Sequence, residues 1–428
     1  MPLRFVIFFV VITTLLTVVA LYLSRRIATS LGLGTRGRRI ALGVLLAATW
    51  LPFIARFVGG DALRWVGVSG FVVTLGMLIT TGLLLPFDAL RALVARASRA
   101  LSRAPRPSLL AVPTALAPIG GDGAAAPVEA SAPEDTSPTL GRRALLTRAA
   151  PLVAATAGGG TSLYGVLLGR HDYQLEDVPI PLARLPRALD GYTIVQISDV
   201  HVGAFIGDYE LGAALDLARR ARPDLIVLTG DLVDHDPRYA EQLGRWARSL
   251  RELGARDGVI AIPGNHDYYA GIDEVLSALR GGGVDVLRND ARMIGDAGGR
   301  FALLGVDDVW AGRSGESAGA DLDRALSQLP AEARDPDSGL ARVLLCHNPE
   351  YYPEAADRVD LQLSGHTHGG QVNFVIRPAD LVLRHGYIAG RYARGTSQIY
   401  VNRGFGTAGP PARVGSPPEV SRIVLTSA

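Results

Sequence analysis

Two histidines stand two residues apart in the stretch GHTHGGQ, at His366 and His368, and a pair of glycines follows them. Such spacing holds two imidazoles close together with little side chain around them, which suits a metal site. A polar turn at the end of a strand gives the same pattern. A metal site therefore requires further ligands elsewhere in the chain.

Further candidate ligands stand where other apolar runs end. These ends read DVH, GDLVD, GNHD and CHN, and they carry Asp199, His201, Asp231, Asn265, His266 and His347. Each motif alone is explained by a turn or a helix cap. Together with GHTH they predict one metal site. Oxygen and imidazole donors without thiolate suit manganese, iron, zinc or cobalt, and a shared carboxylate would allow two ions.

Short apolar runs predict the strands that position these side chains: YTIVQIS, DLIVLTG, GVIAIPG, FALLGV, RVLLCH and DLQLSG. Helical periodicity lies between them in LGAALDLARRA, QLGRWARSLREL and IDEVLSALRG. This alternation predicts an α/β domain over residues 171–428, with ligands gathered at the carboxyl ends of its strands. The glycines of these motifs are predicted to permit close backbone approach, at Gly230, Gly264, Gly365, Gly369 and Gly370.

The composition narrows the classes of protein to consider. All 43 basic residues are arginine, which excludes a phosphate-binding P-loop lysine and a lysine Schiff base. The net charge of +2 gives no reason to expect a nucleic-acid partner. Cys346 is the single cysteine, so an intramolecular disulfide and a cysteine-rich zinc site are excluded. Because it lies in the apolar run VLLC, we expect it to be a buried small hydrophobe.

The N-terminal part is apolar enough to enter a bilayer. Residues 1–103 are predicted to form a transmembrane region, with spans at about 5–23, 40–55 and 66–86. An Ala/Pro/Ser-rich linker is predicted at 104–141. The segment 142–170 begins with two arginines and is either a fourth crossing or a twin-arginine-like export signal.

Arginines predict the orientation of these segments. They concentrate between the first two apolar runs and after the third, whereas few lie between the second and third. The positive-inside rule then places the N-terminus outside and the chain after Pro86 in the cytoplasm. We expect a multi-pass protein of the inner (cytoplasmic) membrane, whose catalytic domain lies on the extracytoplasmic side if the fourth segment crosses and inside if it does not.

The series DVH, GDLVD, GNHD, CH and GHTH resembles the signature of the calcineurin-like metallophosphoesterases. The C-terminal stretch NRGFGTAGPPARVGSPPEVSRIVL extends this resemblance to a bacterial branch with membrane anchors or twin-arginine signals. The resemblance implies a four-layer α/β/β/α sandwich that binds two divalent ions. It assigns one ion to Asp199, His201 and His368, the other to Asn265, His347 and His366, with Asp231 bridging both. It also implies that His266 faces the phosphate, stabilising its charge or protonating the leaving oxygen.

The predicted reaction is hydrolysis of a phosphoester by a metal-bridged hydroxide. Proximity to the membrane favours a phosphodiester or pyrophosphate in a lipid or cell-envelope molecule. A tethered nucleotide phosphodiesterase and a non-catalytic, metal-stabilised scaffold are the alternatives. Arg403 in NRGFG is a candidate contact for substrate phosphate, with an ordinary salt bridge as the alternative.

Several other residues have two interpretations each. For Asp234 and Asp267, one interpretation is a carboxylate that orients a histidine, and the other is an exposed helix cap. Asp307 and Asp308 are an acidic pair for which a loop turn is favoured over a metal site. Tyr268 and Tyr269 line the pocket or pack beside a turn. Three histidines lack motif partners and are expected outside the site: His171, His235 and His385.

Overall fold

A computed structural model describes residues 3–58, 61–103, 142–311, 317–335, 338–374, 377–381 and 383–428. The predicted linker, 104–141, lies outside these residues. The chain divides into two compact units. The first comprises Met1–Leu46 and Met77–Gly158, and the second comprises Ala47–Gly76 and Gly159–Ala428.

Four long helices make up the N-terminal part of the described chain: α1 (Leu3–Leu31), α2 (Thr35–Val58), α3 (Asp61–Arg103) and α4 (Arg142–Leu167). Among the described residues, three stretches are long and apolar enough to cross a membrane: Val10–Leu31, Trp65–Arg99 and Thr147–His171. They overlap the first, third and fourth predicted segments. Helix α2 covers the predicted span at 40–55 and is not among the three. Its apolar run is short because arginines stand at both ends, at positions 36, 38, 39 and 56.

The first unit has its own apolar core and, among its described residues, an ion pair. Its core residues are Val19, Ala20, Leu23, Met77, Leu84 and Ala154. The guanidinium of Arg26 donates to Asp88 at 2.9 Å, and the hydroxyl of Tyr22 donates to the other oxygen of the same carboxylate at 2.7 Å. These bonds join α1 to α3 within this unit.

The second unit contains two sheets, each of six strands over the described residues. The strands are β1 (Gln174–Leu182), β2 (Tyr192–Ile197), β3 (Leu225–Thr229), β4 (Val259–Ile262), β5 (Asp285–Val286), β6 (Asp290–Asp296), β7 (Gly299–Gly305), β8 (Arg342–Leu345), β9 (Leu361–Ser364), β10 (Gly390–Arg394), β11 (Ser397–Val401) and β12 (Glu419–Ser427). The first sheet has the order β1-β12-β2-β3-β4-β5, and the second has the order β10-β11-β9-β8-β7-β6. Strands β2, β3 and β4 are parallel neighbours, and so are β7, β8 and β9.

Helices cover the outer faces of both sheets. They are α5 (Asp208–Ala221), α6 (Ala240–Arg251), α7 (Asn265–Ala270), α8 (Ile272–Gly281), α9 (Leu322–Ser327), α10 (Ala331–Arg334) and α11 (Tyr352–Ala355). One apolar cluster joins the first sheet to α5, α6 and α8, and another joins the second sheet to α9 and α10. A third cluster fills the space between the sheets, where Ile194 and Val227 meet Phe301 and Val343. The predicted four-layer α/β/β/α sandwich is confirmed.

Local patterns explain these elements. In β2, Val195 and Ile197 join the helix-side cluster, whereas Ile194 joins the cluster between the sheets, because successive side chains of a strand point to opposite faces. All six predicted strands and all three predicted helices are confirmed, as β2, β3, β4, β7, β8, β9, α5, α6 and α8. The remaining strands, among them the nine-residue pair β1 and β12, were not predicted.

Candidate metal centre

The carboxyl ends of five parallel strands meet at one edge of the sandwich. Strands β2, β3 and β4 of the first sheet and β8 and β9 of the second each lead directly into one of the predicted motifs. The structure brings six of the seven predicted ligands together in two groups, and the seventh, Asn265, directly precedes His266, whose amide donates to Asp231. His366 is half-buried. The other six predicted ligands are buried: Asp199, His201, Asp231, Asn265, His347 and His368.

Asp199, His201 and His368 form one group of candidate ligands. The Nε2 atoms of the two histidines lie 3.1 Å apart. Nε2 of His368 lies 3.4 Å from Oδ1 of Asp199. Three donor atoms from strands of both sheets therefore face a common point.

Asp231, His347 and His366 form a second group. Nε2 of His347 lies 3.2 Å from Oδ2 of Asp231 and 3.2 Å from Nδ1 of His366. The other nitrogen of His347, Nδ1, lies 2.8 Å from the carbonyl oxygen of Thr229, to which it donates. Since that bond uses Nδ1, Nε2 is the atom that faces the group.

Asp231 lies between the two groups. Its Oδ2 is 3.7 Å from Nε2 of His201 in the first group, besides its 3.2 Å contact with His347 in the second. Nearby, Oδ1 of Asn265 is buried without a hydrogen-bond partner among the described residues. A buried carbonyl oxygen without a donor is costly. A cation beside Asp231 would satisfy it, so the donor set fits divalent metal ions.

The backbone at the site is held in a conformation that side chains disfavour. Eight non-glycine residues of the described chain have positive φ angles, and five of them are predicted ligands: Asp199, His201, Asp231, His366 and His368, with φ between 51° and 72°. Each such residue costs about 1–3 kcal/mol, and such strain is typical of functional sites. The surrounding structure therefore forces these side chains toward one another.

Glycines permit the close approach of the ligand loops, as the sequence predicts. A Cβ atom on Gly230 would lie 2.7 Å from the amide nitrogen of Gly264 and 2.8 Å from Nδ1 of His347. A Cβ atom on Gly264 would overlap Asp231, and one on Gly365 would overlap Asp199. At these positions any side chain would displace a ligand.

Burial sets the charge of the candidate ligands. Burial, and next the neighbouring His347, lower the pKa of His366 to about 3. Burial also lowers the pKa of His368 well below its usual range, with His201 adding to the effect. Both rings are neutral near pH 7, the form in which imidazole binds a metal. Burial acts to raise the pKa of Asp231, but His347 outweighs it and holds that pKa well below its usual range, so the carboxylate is ionised.

Comparison with known proteins agrees with this geometry. The family model of calcineurin-like phosphoesterases matches residues 192–370, a range that contains every predicted ligand. An uncharacterized metallophosphoesterase of Bacillus subtilis is 33% identical over 279 residues, which are 64% of this chain and 92% of the relative. The chain is a calcineurin-like metallophosphoesterase. It is thus a metal-dependent hydrolase of phosphoesters.

Two further relatives of this metallophosphoesterase differ in how much of their length is matched. An uncharacterized metallophosphoesterase of Aquifex aeolicus is 33% identical over 61% of this chain and 97% of its own. A transmembrane protein with a metallophosphoesterase domain from Danio rerio is 29% identical over 62% of this chain and 60% of its own. The second relative and the apolar helices together indicate that the metallophosphoesterase associates with a membrane.

His266 lies beside both groups of the metallophosphoesterase site. Its Nδ1 lies 2.9 Å from the carbonyl oxygen of Asp234, and its ring centroid lies 4.6 Å from that of His201. Burial opposes the charged form of His266, but the side chain of Asp234 and the charge of Asp231 outweigh burial and raise the pKa of His266 to about 9. A protonated His266 suits the predicted role of facing a phosphate.

Asp234 and Asp267 have different roles. Oδ1 of Asp234 lies 2.7 Å from Nδ1 of His235 and 3.6 Å from Nδ1 of both His201 and His266, so it holds several rings in place. Asp267 is buried and contacts no histidine in the described structure. Its carboxylate accepts from the amides of Gly264, Leu232 and Val233, and it thereby ties the GNHD loop to the GDLVD loop.

The guanidinium of Arg403 forms salt bridges, the alternative that the sequence leaves open. Its Nε lies 2.7 Å from Oε2 of the buried Glu419, and its Nη2 donates to Glu176. Both acidic residues belong to the β1–β12 pair. These bonds hold the Arg403 side chain at that pair.

The acidic pair after β7 lies in the loop that brings Trp310 to the site. Asp307 accepts from Arg288, Tyr268 and Ser317, which makes it part of a salt-bridged loop, and Tyr268 is accordingly a packing residue. Asp308 is buried, and its Oδ1 accepts from the amide of Trp310 at 2.7 Å. The ring of Trp310 packs edge-on against His366, with centroids 4.8 Å apart. Trp310 carried no motif signal in the sequence.

The remaining candidates lie beside the site or away from it. His235 was expected outside the site, but its ring centroid lies 4.5 Å from that of His266, so this expectation is wrong. The carboxylate of Asp234 lies near Nδ1 of both His235 and His266 and so brings the two rings together. Tyr269 is half exposed and lies 5.5 Å from His266 between ring centroids. His171 contacts Tyr173, His385 lies near Glu350, and Cys346 is buried, as expected for all three.

Proposed function

We propose that this metallophosphoesterase is a membrane-anchored, dimetal phosphodiesterase that acts on a phosphodiester or pyrophosphate of a lipid or cell-envelope molecule. The observation that carries the proposal is the position of Asp231. One oxygen of its carboxylate faces a histidine of each ligand group, at 3.7 Å and 3.2 Å. A carboxylate between two complete donor groups supports two ions rather than one.

In this proposal Asp199, His201 and His368 hold one ion. The other ion is held by Asn265, His347 and His366, and Asp231 is shared. The unpartnered Oδ1 of Asn265 supports the assignment of an amide ligand to the second ion. Carboxylate, amide and imidazole donors favour manganese, iron, zinc or cobalt.

A pair of bound divalent ions supplies Lewis acidity and lowers the pKa of water, which together permit in-line displacement at phosphorus. The residues of the chain orient the reacting groups. Nδ1–H of His266 donates to the carbonyl oxygen of Asp234, so its Nε2 is the atom left to face the substrate. We assign Nε2 of His266 the role of stabilising the phosphate charge or giving a proton to the leaving oxygen. Trp310 packs against His366 and helps to shield this side of the site from water.

Contacts within the second unit support a membrane-proximal site. Phe205 follows His201 by four residues, and it belongs to one apolar cluster with Val68, Val72 and Leu75 of α3. Nearby apolar side chains on α3, on α4 and directly after α4 are exposed: Trp65, Leu163, Leu167 and Leu168. A bilayer would cover these side chains. A substrate anchored in that bilayer would reach the loop after His201 without leaving the membrane surface.

The orientation of α3 and α4 supports an extracytoplasmic catalytic domain. The hydroxyl of Ser162 donates to the carbonyl of Val72 at 2.7 Å, and Val166 packs with Val68, so the two helices are antiparallel here. The start of α3 and the end of α4 therefore lie on the same side. Few arginines lie between the apolar runs of α2 and α3, whereas many follow the apolar stretch of α3. This asymmetry favours the outside for the end that adjoins the catalytic domain.

The test of substrate class uses the full chain in lipid nanodiscs supplied with Mn²⁺. We expect kcat/KM for a phosphodiester or pyrophosphate embedded in the bilayer to exceed that for cyclic nucleotides and for bis-p-nitrophenyl phosphate. Rapid cleavage of soluble nucleotides without cleavage of lipid phosphoesters would instead favour a tethered nucleotide phosphodiesterase.

Paired reporter fusions at Asp172, one active only outside the cytoplasmic membrane and one active only inside, test on which side of the membrane the catalytic domain lies. An inside signal would overturn the proposed topology.

A further inference from the structure

Arg413 places a buried positive charge beside His368. Its side chain is 1% exposed, and no carboxylate lies within ion-pair distance of it among the described residues. Burying a guanidinium without an acidic partner is costly. Carbonyl oxygens compensate for this cost. The guanidinium donates to those of Arg403 at 2.8 Å, Gly404 at 2.9 Å, Gly406 at 2.9 Å from Nε, Ser416 at 3.2 Å and His368 at 3.4 Å.

These bonds fasten the backbone around one group of ligands. The carbonyl oxygen of His368 accepts from Arg413 and also from the hydroxyl of Ser416, at 2.8 Å. Nη2 of Arg413 lies 3.2 Å from Nδ1 of the His368 ring. Residues 404–406 in turn contact Asp199, since the amide of Gly406 donates to the carbonyl of Asp199 at 2.7 Å. Arg413 thus holds both His368 and the segment behind Asp199.

The backbone of Arg413 is fastened to the last turn of α4. Its amide donates to the carbonyl oxygen of Gly165 at 3.0 Å. The last four carbonyls of a helix have no partner within the helix. The loop at 412–414 therefore supplies a donor to a carbonyl in the last turn of a helix that is apolar enough to cross a membrane.

Two glycines of α4 fit this loop closely. A Cβ atom on Gly165 would lie 2.7 Å from Cγ2 of Val414 and 3.1 Å from the carbonyl oxygen of Arg413. A Cβ atom on Gly169, just beyond α4, would overlap the same carbonyl group. By contrast, a Cβ atom on Gly160 of the same helix would have no neighbour within 4 Å. Of these glycines, only the two that face residues 412–414 are in close contact with another part of the chain.

We propose that the C-terminal end of α4 is a positioning element of the metal site and that Arg413 is the positioning residue that connects it to His368. The membrane helix then does more than anchor the domain, because its end sets the geometry of the ligand group of Asp199, His201 and His368. The inference rests on the proposed function only in treating those three residues as ligands of one ion.

The test compares Gly165→Val with the matched control Gly160→Val in the full chain, purified in detergent micelles. Mn²⁺ binding is titrated and followed by the electron paramagnetic resonance of the free ion, and His368→Ala serves as the reference for loss of this ligand group. We expect Gly165→Val to weaken one class of Mn²⁺ binding by about 10–100-fold, the range for residues that orient metal ligands. The other class, and both classes in Gly160→Val, should bind as in the wild type.

Two Mn²⁺ classes of wild-type affinity in a folded Gly165→Val protein would overturn the proposal. If Gly165→Val does not fold, the same titration is carried out on Gly165→Ala. Its single methyl group would contact the same two atoms, Cγ2 of Val414 and the carbonyl oxygen of Arg413. Arg413→Met and Arg413→Lys provide a second arm, since the lysine keeps the charge and should recover part of the affinity that methionine loses. Because the readout is metal binding, a wild-type protein that binds both ions but cleaves no phosphodiester would contradict the proposed function and leave this inference standing.

Discussion

Oδ2 of Asp231 lies 3.2 Å from Nε2 of His347, although the two residues follow strands of different sheets. Asp231 follows β3 of the first sheet, and His347 follows β8 of the second. The site is therefore built where the edges of the two sheets meet. A change at this contact should affect both ligand groups.

Replacing Asp231 with asparagine should remove metal binding from both groups. The amide lacks the charge that offsets two cations, so we expect kcat/KM to fall by more than about 100-fold, beyond the range for residues that merely orient ligands. Metal content by mass spectrometry, measured with activity, checks this. Asp216→Asn, at an exposed residue paired with Arg219, is the control. An Asp231→Asn protein that retains two ions would contradict the shared-carboxylate assignment.

Replacing His266 with alanine should lower the rate while leaving the metals bound. Loss of a group that protonates a leaving oxygen typically costs about 10²–10⁴-fold. The loss should be smallest for p-nitrophenyl esters, whose leaving group needs no proton, and largest for alkyl esters. His385→Ala, at a residue beside Glu350, is the matched control. Release of one ion by His266→Ala would show instead that His266 is a ligand.

Replacing Arg403 with alanine should reduce stability rather than substrate affinity. Glu419 is 1% exposed and would keep a buried carboxylate without its guanidinium partner. Breaking such a pair typically costs about 3–5 kcal/mol in the free energy of unfolding. Denaturant unfolding measures the change, and Glu419→Gln in the same chain should recover part of it. A raised KM with unchanged stability would support the substrate contact that the sequence suggests.

Replacing Gly264 with alanine should disrupt the site despite the small size of the change. The added methyl would overlap Asp231, because the two backbones are in contact. We expect loss of metal in an isolated, purified protein. The control is Gly212→Ala in α5, where a Cβ atom would have no neighbour within 4 Å. That change should stabilise the helix by up to about 1 kcal/mol. Equal activity of Gly264→Ala and Gly212→Ala would show that the backbone around Gly264 shifts enough to accommodate a methyl group.

Cys346 should not react with thiol reagents in the folded protein. Burial, with Asp308 adding to the effect, raises the pKa of its thiol well above its usual range, so the reactive thiolate does not form near neutral pH. A disulfide reagent should therefore titrate no thiol in native protein and one thiol in denaturant. Rapid labelling of the native protein would place Cys346 in a more open environment than the structure describes.

Much of the fold and the site could be predicted because their signals are local. An apolar run that is followed by Asp199 or His347 already indicates that a strand places a ligand at its carboxyl end. His201 and His366 stand in motifs that follow such runs, and their assignment to particular ions comes from the family resemblance. Strand β1 gave no such signal, since it carries charged residues and two prolines, and only pairing with β12 makes it a strand.

The sequence by itself determined six of the strands, the side chains that follow them and the chemical class of metal site that results. Those properties depend on residues only a few positions apart. Tertiary structure alone decided that Arg403 pairs with Glu419, that His235 lies beside His266, and that Arg413 joins α4 to His368. A buried charge is compensated by whichever partners the packed chain brings near it, and those partners stand at no fixed distance along the sequence.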